Sequence, residues 1–439
     1  MKEYDVIVIG SGSALQIIDQ IQGMGLKTAL VDKGPAGGTC LNVGCIPSKL
    51  LIAAADRVME IREADKFGID AQINSIDFAK IMQDMHEHIR PTHEHIRKAL
   101  EDDEKLDYYD TEARFIDEYT LQVGSEKIKG DKIFIACGSR PLVPDIPGLK
   151  DYLTNESALQ LEELPKSLII IGGGYVACEF AHFFSAMGSE VTVVQADEHL
   201  LPGEEPEISE LLQKELQERM TIHTGLRIDR IEHGKEGCSL HAGDIKCTGS
   251  RIFLAMGRVS NADILDVEKT GVEVDEKGYI HVDGYMETSK KNIWAFGDCI
   301  GKAMFTHAAN EEVMVALHNA FGDHKHAMDY SVMPHAIFTY PSIASVGKRE
   351  QDADDPIVGI ARYTDVAKGS ALREERGFAK AVLEDDKLVG FHIIGPHAPT
   401  LIQEVVNAMS GNGIADMARG IHIHPALPEL ILRTISNAR

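Results

Sequence analysis

Two segments of the sequence share one pattern that few folds can accommodate. Residues 4–32 read YDVIVIGSGSALQIIDQIQGMGLKTALVD, and residues 167–195 read SLIIIGGGYVACEFAHFFSAMGSEVTVVQ. Each has a β-branched apolar run, a glycine turn, a helix-length segment and a second apolar run. In such a unit of about 30 residues, glycine lets backbone N–H groups approach a pyrophosphate at the helix N-terminus. The two copies predict an α/β protein with two Rossmann-like dinucleotide-binding domains.

The two units differ at the third glycine position. Gly10 and Gly12 are followed there by Leu15, whereas Gly172 and Gly174 are followed by the small residue Ala177. Leu15 predicts a slightly wider packing of helix against strand in the first unit, without loss of the site.

The residue that ends each unit bears on nucleotide choice. Asp32 ends the first unit, and its carboxylate can accept hydrogen bonds from ribose hydroxyls or cap a turn. Gln195 takes that place in the second unit and is neutral, and residues 195–205 contain no Lys or Arg. A 2′-phosphate would find no positive partner there, which favours NAD(H) over NADP(H).

Length and charge exclude several classes of protein. The 439 residues are too many for one ordinary core, so we expect two to four domains. A net charge of −25 argues against a nucleic-acid or anionic-membrane partner. No uninterrupted apolar run approaches the roughly 20 residues of a spanning helix, and the start, MKEYDVIVIG, lacks signal-peptide features. We therefore expect a soluble, cytoplasmic protein.

A near-repeat of histidines occurs at residues 86–98, HEHIRPTHEHIRK. Clustered histidines raise the hypothesis of a metal site, but copies seven residues apart also describe one solvated face of a helix. The second interpretation is favoured, and no metal site is predicted.

Two cysteines lie five positions apart in residues 37–49, GGTCLNVGCIPSK. Cys40 and Cys45 could hold a metal, form a structural crosslink or exchange electrons. The chain has seven cysteines, an odd number and mostly isolated, which is unlike a secreted disulfide framework. No second pair at metal-ligand spacing accompanies them, and a crosslink closing so short a loop adds little stability. A redox pair fits best.

A redox pair at this spacing needs an irregular turn. Residues five apart in an ideal helix are about 7.5 Å apart along the axis, which is too far for a disulfide. Gly44 can supply the irregular turn, which would put Cys45 at a helix start where the dipole stabilises a thiolate. Lys49 would add positive charge one turn later.

The stretch GGTCLNVGCIPSK resembles the redox-disulfide motif of the FAD-dependent pyridine nucleotide–disulfide oxidoreductases. The resemblance extends over nearly the whole chain. It implies FAD at the first fingerprint, NAD(P)H at the second, and a homodimer with shared active sites. Within this family, Leu15 and the ending IHPALPE are more similar to mycothione reductase, and dihydrolipoamide dehydrogenase remains open.

The resemblance implies two Rossmann-like domains and an α+β C-terminal dimerisation domain. Residues 138–150 are proline-rich like a linker, and after residue 331 strands and helices alternate without a glycine fingerprint. We expect a FAD-binding domain at 1–148, an NAD(P)-binding domain at 149–262, a second part of the FAD or central domain at 263–330, and the dimerisation domain at 331–439.

The resemblance also assigns catalytic roles. Cys45 would be the thiolate that faces the flavin, and Cys40 the thiol that exchanges with substrate. Lys49 and Glu179 would pair near the flavin N5, and the apolar run around Glu179 suggests that this carboxylate is buried.

The acid–base residue is expected in residues 422–429, HIHPALPE. In a strand, His422 and His424 would share one face, so alternation cannot choose between them. The family motif chooses His424, with Glu429 orienting it. A histidine of near-neutral pKa suits proton delivery to a leaving thiolate, and His424 would serve the disulfide of the other subunit.

The remaining implied residues bind cofactors. Asp298 follows the strand pattern NIWAFGD and would bind the ribityl chain or cap a helix; Tyr175 would cover the nicotinamide pocket or simply pack; Cys137 replaces a family Thr and is expected to be inert. The FAD contacts are Gly10, Gly12, Ser13, Asp32, Lys33, Gly38, Thr39, Lys49, Ala113, Cys137, Gly138, Asp298, Met304, Phe305, Thr306 and His307. The NAD(P) contacts are Gly172, Gly174, Tyr175, Val176, Glu179, Gln195 and Gly257.

Together these residues predict an FAD-dependent enzyme that moves electrons between a nicotinamide and a small disulfide or dithiol. The alternative is a redox-sensing or complex-bound flavoprotein with little disulfide turnover. The presence of His424 and Glu429 favours the enzyme, because a sensor does not need an acid–base pair.

Overall fold

The computed structural model describes residues 1–235, 237–411 and 413–438. Its helices are α1 Leu15–Gly23, α2 Gly38–Asn42, α3 Cys45–Arg62, α4 Phe78–Asp102, α5 Asn155–Ala158, α6 Tyr175–Met187, α7 Pro206–Gln217, α8 Thr306–Phe321, α9 Ala367–Ala371, α10 Ala398–Ser410, α11 Ile414–Arg419 and α12 Glu429–Ser436.

The strands form five sheets within the described residues. They are β1 Lys2–Ile9, β2 Thr28–Asp32, β3 Leu106–Asp110, β4 Ala113–Asp117, β5 Thr120–Val123, β6 Glu126–Ile135, β7 Ser139–Pro141, β8 Tyr152–Leu153, β9 Ser167–Ile171, β10 Glu190–Val194, β11 Thr221–His223, β12 Arg230–His233, β13 Cys238–Ala242, β14 Ile245–Gly249, β15 Arg251–Leu254, β16 Arg258–Ser260, β17 Ile293–Ala295, β18 Pro334–Ile337, β19 Ile343–Gly347, β20 Ile357–Arg362, β21 Phe378–Glu384 and β22 Lys387–Ile394.

The chain divides into two compact units. The first contains Met1–Ser48, Gln83–Leu142 and Gly257–Met328, and the second contains Lys49–Met82, Val143–Met256 and Asp329–Arg439. The domain boundaries expected from the sequence stay predictions, because a division by compactness does not separate the nucleotide-binding region from the C-terminal region.

The first unit is built on a seven-stranded sheet. The order is β3-β2-β1-β6-β5-β4, and β17 pairs with β6; β1 lies parallel to both β2 and β6. Val6, Ile7 and Val8 of β1 are fully buried, as expected of a central strand covered on both faces.

The turn between β1 and α1 can accept only glycine at its first position. Gly10 has φ +101°, and a Cβ there would lie 2.2 Å from the carbonyl oxygen of Ala136. Leu15, at the third fingerprint position, packs against the core of this unit. A leucine side chain therefore occupies the position where the motif usually has glycine.

The second unit repeats this arrangement in a parallel sheet of order β11-β10-β9-β15-β8. Gly172 has φ +113°, and a Cβ there would lie 2.2 Å from the carbonyl oxygen of Ala255. Gly10 and Gly172 are thus constrained in the same way. In each case, a side chain would collide with the carbonyl group of the residue that follows the neighbouring parallel strand.

The C-terminal part of the second unit is an antiparallel sheet of order β18-β19-β22-β21-β20. Helix α10 contacts β19 and β22, and α12 contacts β20 and β21. This mixture of antiparallel strands and helices is the α+β region that the sequence predicts after residue 331.

The histidine repeat lies within α4. His88 and His95 are exposed, whereas His86 and His93 are partly buried, so the helix face is solvated for only half of the repeat. Pro91 lies inside this helix.

One segment has the length and hydropathy of a membrane span. Gly38–Arg62 passes that test by composition, although the helix is interrupted between α2 and α3. A core helix of a soluble protein passes the same test, so composition here does not by itself indicate a membrane.

Candidate active site

The two cysteines lie on either side of a helix break in the first unit. Cys40 is in α2, and Cys45 is the first residue of α3. The Cys45 Sγ lies 3.5 Å from the Oγ1 of Thr306 at the start of α8, and the pKa of the Cys40 thiol responds to both Cys45 and Thr306. The structure has the pair in the thiol form. Irregular backbone has thus brought together two side chains that a continuous helix would separate.

Gly44 makes this arrangement possible. A Cβ at Gly44 would lie 2.9 Å from the Thr39 carbonyl oxygen and 3.3 Å from the Cys40 Cα. Real Cβ atoms do not tolerate the first of these distances. The backbone can bend tightly between α2 and α3 only because residue 44 has no side chain.

The two thiols differ in their tendency to ionise. A hydrogen bond to Cys45, reinforced by burial, raises the pKa of the Cys40 thiol well above its ordinary value, and a hydrogen bond with Thr306 partly offsets the rise. The Cys40 thiol therefore resists ionisation. The thiolate is expected on Cys45, at the N-terminus of α3 where the helix dipole favours negative charge.

Lys49 and Glu179 form an ion pair in the second unit. The Lys49 Nζ lies 2.7 Å from the Glu179 Oε2, and the Glu179 side chain is 5% exposed. The other oxygen of Glu179 accepts the backbone N–H of Phe338 at 3.0 Å, and the Lys49 ammonium lies over the Phe338 ring. The carboxylate is therefore buried and fully engaged, and it holds the ammonium at a fixed position one turn beyond Cys45 on α3.

The first fingerprint forms a cradle that fits a dinucleotide. A Cβ at Gly38 would lie 2.6 Å from the Gly12 Cα, so two backbone segments touch before the start of α1. Asp32 accepts the backbone N–H of Ser11 at 2.6 Å and that of Gly34 at 3.0 Å. The carboxylate thus caps the turn, and its remaining lone pairs can still accept from a ribose.

The second FAD motif is also assembled in the first unit. Asp298 accepts a hydrogen bond from the Ser139 hydroxyl at 2.6 Å and lies 3.6 Å from the Arg258 Nε. Gly138, beside Ser139, has φ +67°. The carboxylate oxygens of Asp298 can also accept hydrogen bonds from the hydroxyls of a ribityl chain.

The other expected FAD contacts lie on or beside α1, α2, α8, β2 and β4. Thr306 begins α8, and the rings of Phe305 and His307 stack at 5.4 Å between centroids. Ala113 begins β4, and Lys33 pairs with Glu112 beyond β2. The remaining members are Ser13, which precedes α1, Thr39, which is in α2, and Met304, which precedes α8.

The second fingerprint lies at the start of α6. Gly174 is its N-cap, a Cβ there would meet nothing within 4 Å, and Tyr175 and Val176 begin the helix. This leaves open space at a helix N-terminus, which suits a pyrophosphate. Gly257, with φ +116°, belongs to the first unit.

Gln195 is buried and forms a hydrogen bond with a neighbouring carboxylate. Its amide nitrogen donates to the Asp197 Oδ2 at 2.8 Å, and its amide oxygen accepts the backbone N–H of Ala196. Asp197 was not identified from the sequence, where only the missing cations were noticed. The ribose end of the site therefore carries a negative charge as well as lacking a positive one.

The segment with His422 and His424 is irregular, so the strand used to compare the two residues was wrong. His422 presents Nε2 to Glu404 at 2.8 Å and Nδ1 to the Gly420 carbonyl at 3.1 Å. Because both nitrogens face acceptors, the Glu404 carboxylate raises the pKa of His422. Contacts at both nitrogens therefore hold this ring in place.

Among the residues that the structure describes, His424 has a partner at one ring nitrogen only. Its Nδ1 lies 2.9 Å from the Glu429 Oε1, and the other Glu429 oxygen accepts the Ala426 N–H at 2.9 Å. That N–H and the imidazole hold the pKa of Glu429 below its ordinary value, so the ionised carboxylate can only accept. His424 must therefore donate from Nδ1, which leaves Nε2 on a ring that is 72% exposed.

Family models match almost the whole chain. The model described as pyridine nucleotide-disulphide oxidoreductase matches residues 4–312, and that of the dimerisation domain matches residues 333–434. The chain belongs to this family. It is a flavin-dependent class I pyridine nucleotide–disulfide oxidoreductase that uses FAD, and its dimerisation domain supports a homodimer.

Individual relatives agree with this membership. Mycothione reductase of Mycobacterium tuberculosis strain H37Rv is 35% identical over 100% of both chains. Dihydrolipoyl dehydrogenase of Chlamydia muridarum is 33% identical over 97% of this chain and 95% of the relative. The solved HOCl-induced flavoprotein disulfide reductase RclA of Escherichia coli is 27% identical, with a TM-score of 0.88 over 99% of each chain. The expected fold class and enzyme class are confirmed.

The role of Gly44 leads to a first prediction. Replacing Gly44 with Ala is expected to lower the yield of the Cys40–Cys45 disulfide under mild oxidation about tenfold, because the added Cβ opens the turn and separates the thiols. The yield is measured by alkylating the remaining thiols and mapping peptides by mass spectrometry.

The matched control is Gly34→Ala, whose Cβ would make only an ordinary contact of 3.6 Å with Asp32. It should leave the yield unchanged. An undiminished yield in Gly44→Ala would show that the turn does not depend on the missing side chain.

Proposed function

We propose that this oxidoreductase uses NADH to reduce a small disulfide of the low-molecular-weight thiol class, through a redox disulfide of Cys40 and Cys45. The net reaction is NADH + H⁺ + RSSR → NAD⁺ + 2 RSH. The observation that carries the proposal is the position of the two cysteines on either side of the tight Gly44 turn, Cys40 in α2 and Cys45 as the first residue of α3. FAD, when bound, supplies the hydride transfer that links nicotinamide to disulfide.

The two cysteines have different roles in the proposed reaction. Reduction of their disulfide gives a thiolate at Cys45, favoured by the α3 N-terminus, and a protonated thiol at Cys40. Cys40, once deprotonated, attacks one sulfur of the substrate and releases the other as a thiol. Cys45 then attacks Cys40, which releases the second thiol and restores the Cys40–Cys45 disulfide.

His424 is the proposed proton carrier for these steps. It takes the proton from Cys40 and gives it to the departing thiol, with Glu429 holding the ring in the tautomer that leaves Nε2 available. In the proposed homodimer, His424 of one subunit serves the cysteine pair of the other. Lys49, held by Glu179, is the proposed positive charge near the flavin.

The preference for NADH rests on the end of β10. The buried Gln195 donates a hydrogen bond to Asp197, and residues 195–205 contain no Lys or Arg. A 2′-phosphate brought there would meet a carboxylate instead of an arginine, which disfavours NADPH electrostatically.

The substrate class is proposed from the relatives. Full-length similarity to mycothione reductase favours the disulfide of a small thiol, with oxidation of a dihydrolipoamide-type dithiol as the second candidate. Turnover of mycothione, lipoamide and glutathione disulfide with each nicotinamide separates them. A chain that turned over none of these, but whose cysteines still titrated with oxidant, would be the redox sensor instead. Cytoplasmic localisation stays a prediction.

The two histidines provide the sharpest test of the acid–base role. His424→Gln is expected to lower kcat for disulfide reduction by about 10²–10⁴, because proton transfer to the leaving thiol is lost. Reduction of the flavin by NADH, followed anaerobically by stopped flow, should proceed at the original rate, since no thiol leaves in that half-reaction.

His422→Gln is the control, because both nitrogens of His422 are already engaged by Glu404 and Gly420. It should retain kcat. Equal losses in the two variants would mean that the segment matters only for structure and would remove His424 from the mechanism.

The nicotinamide preference can be tested at Asp197. Asp197→Asn is expected to raise kcat/KM for NADPH relative to NADH about three- to tenfold, because a charge that repels the 2′-phosphate is removed. Glu198→Gln removes a neighbouring charge that makes no hydrogen bond to Gln195, and should have a smaller effect. A wild-type enzyme that already prefers NADPH would refute the assignment.

A further inference from the structure

In the second unit, the two helices that carry the Lys49–Glu179 ion pair also meet at another polar contact. Asp56 follows Lys49 by two turns on α3, and His182 follows Glu179 by one turn on α6. The Asp56 Oδ1 lies 2.9 Å from the His182 Nε2. Neither residue takes part in the reaction proposed above, yet both lie on the helices that hold its buried ion pair.

The protonation state of His182 follows from its two neighbours. The ring is fully buried, and its Nδ1 lies 2.7 Å from the Arg219 Nη1. A guanidinium can only donate, so Nδ1 accepts, and the ring proton on Nε2 is donated to Asp56. Burial, together with the adjacent charge of Arg219, lowers the pKa of His182. The ring is therefore a neutral imidazole with one defined tautomer.

His182 is fixed on its Nδ1 side and on one face of its ring. The Arg219 Nη2 donates to the Tyr340 carbonyl at 3.3 Å, and its Nη1 lies 3.5 Å from the Ser185 Oγ. The Tyr340 ring stacks on the imidazole with 6.2 Å between centroids, and its hydroxyl donates to Glu63 at 2.8 Å. The imidazole therefore cannot turn to follow Asp56 if α3 moves.

The contact between Asp56 and His182 is more restrictive than a further one between the same helices. The Arg62 Nη2 donates to the Ala186 carbonyl at 3.1 Å, but a long, flexible arginine side chain can follow a small shift of α3. Aspartate has a short side chain, and the imidazole is packed. A shift of α3 would leave the buried Nε2–H without its acceptor, and an unsatisfied buried donor is costly.

We propose that Asp56 and His182 are positioning residues that keep α3 in the register at which the Lys49 ammonium lies against Glu179. Their hydrogen bond is about 10.5 Å from Lys49 along α3 and about 4.5 Å from Glu179 along α6. Contacts at two points along a helix fix its direction as well as its distance from the neighbouring helix. The inference rests on the proposed place of Lys49 near the flavin.

Anaerobic reduction of the flavin by NADH, followed by stopped flow in the flavin-loaded, full-length chain, tests the role of Asp56. This side chain is 40% exposed, so the fold should tolerate its replacement. Asp56→Ala removes the acceptor and is expected to slow flavin reduction about tenfold, because the ammonium shifts. Asp56→Asn keeps an oxygen that accepts from Nε2 and should recover most of the rate.

The matched control is Glu60→Ala. It removes a carboxylate from the same helix, and the ion-pair partner of Glu60 is the exposed Arg57. This variant should reduce its flavin at the original rate.

Variants of His182 show whether the effect passes through the hydrogen bond. His182→Asn can accept from Arg219 but is too short to reach Asp56, so it should slow flavin reduction as much as Asp56→Ala does. The double variant should be no slower than either single one, because both changes remove the same bond. His182→Gln is one methylene longer, can still donate to Asp56 and should keep most of the rate.

Lys49→Met provides the reference, because loss of the ammonium itself must slow the same step. The proposal is overturned if Lys49→Met is slow and Asp56→Ala is not, or if Asp56→Asn is as slow as Asp56→Ala. It is also overturned if Glu60→Ala loses as much rate, or if the losses at Asp56 and His182 multiply in the double variant. An original rate in Lys49→Met would instead refute the proposed place of Lys49, and this inference with it.

Discussion

The structure depends on backbone approaches that only glycine permits. At Gly10 and at Gly172 the first turn of a nucleotide-binding unit passes within van der Waals contact of a carbonyl group, and each residue has a left-handed φ. At Gly38 the backbone meets Gly12, and at Gly44 it meets the preceding helix turn. The first three contacts shape the nucleotide cradles, and the fourth brings two thiols together. Missing side chains therefore create both the cofactor sites and the redox pair.

Each ion pair of the proposed active site uses a carboxylate to fix the orientation of its partner. Glu179 has one oxygen on the Lys49 ammonium and the other on a backbone N–H. Glu429 divides its oxygens in the same way, between His424 and the Ala426 N–H. A carboxylate anchored by backbone cannot rotate away, so the ammonium stays in place in the first case and the imidazole tautomer is fixed in the second. This shared design explains how a largely exposed His424 can keep a defined orientation.

Local patterns in the sequence were enough for the fold class and for the helix break between Cys40 and Cys45. The fingerprints predicted both parallel sheets, and the spacing of Cys40 and Cys45 predicted a helix break at Gly44, because these features depend on neighbours along the chain. The choice between His422 and His424 could not be made in that way. The choice depends on Glu404, which lies in α10, far from the histidines in sequence. The strand that was assumed for His422 and His424 does not form.

Contacts between distant parts of the sequence account for the other omissions. Asp197 gained importance only when Gln195 was found buried and bonded to it. The pairing of β6 with β17, which places the segment after Ile135 beside the segment after Ala295, could not be seen in the sequence either. Similarly, nothing in residues 49–82 indicated that they belong to the second unit. A single sequence carries no signal for such pairings.

The central claim is that electrons from a nicotinamide reach a disulfide of Cys40 and Cys45. It is tested most directly by counting thiols in the oxidised, flavin-loaded protein before and after anaerobic addition of NADH, using isotopically distinct alkylating reagents and peptide mapping. The account predicts two new thiols per chain, located at Cys40 and Cys45. A thiol count that does not rise while the flavin is reduced, or new thiols located at other cysteines, would contradict it.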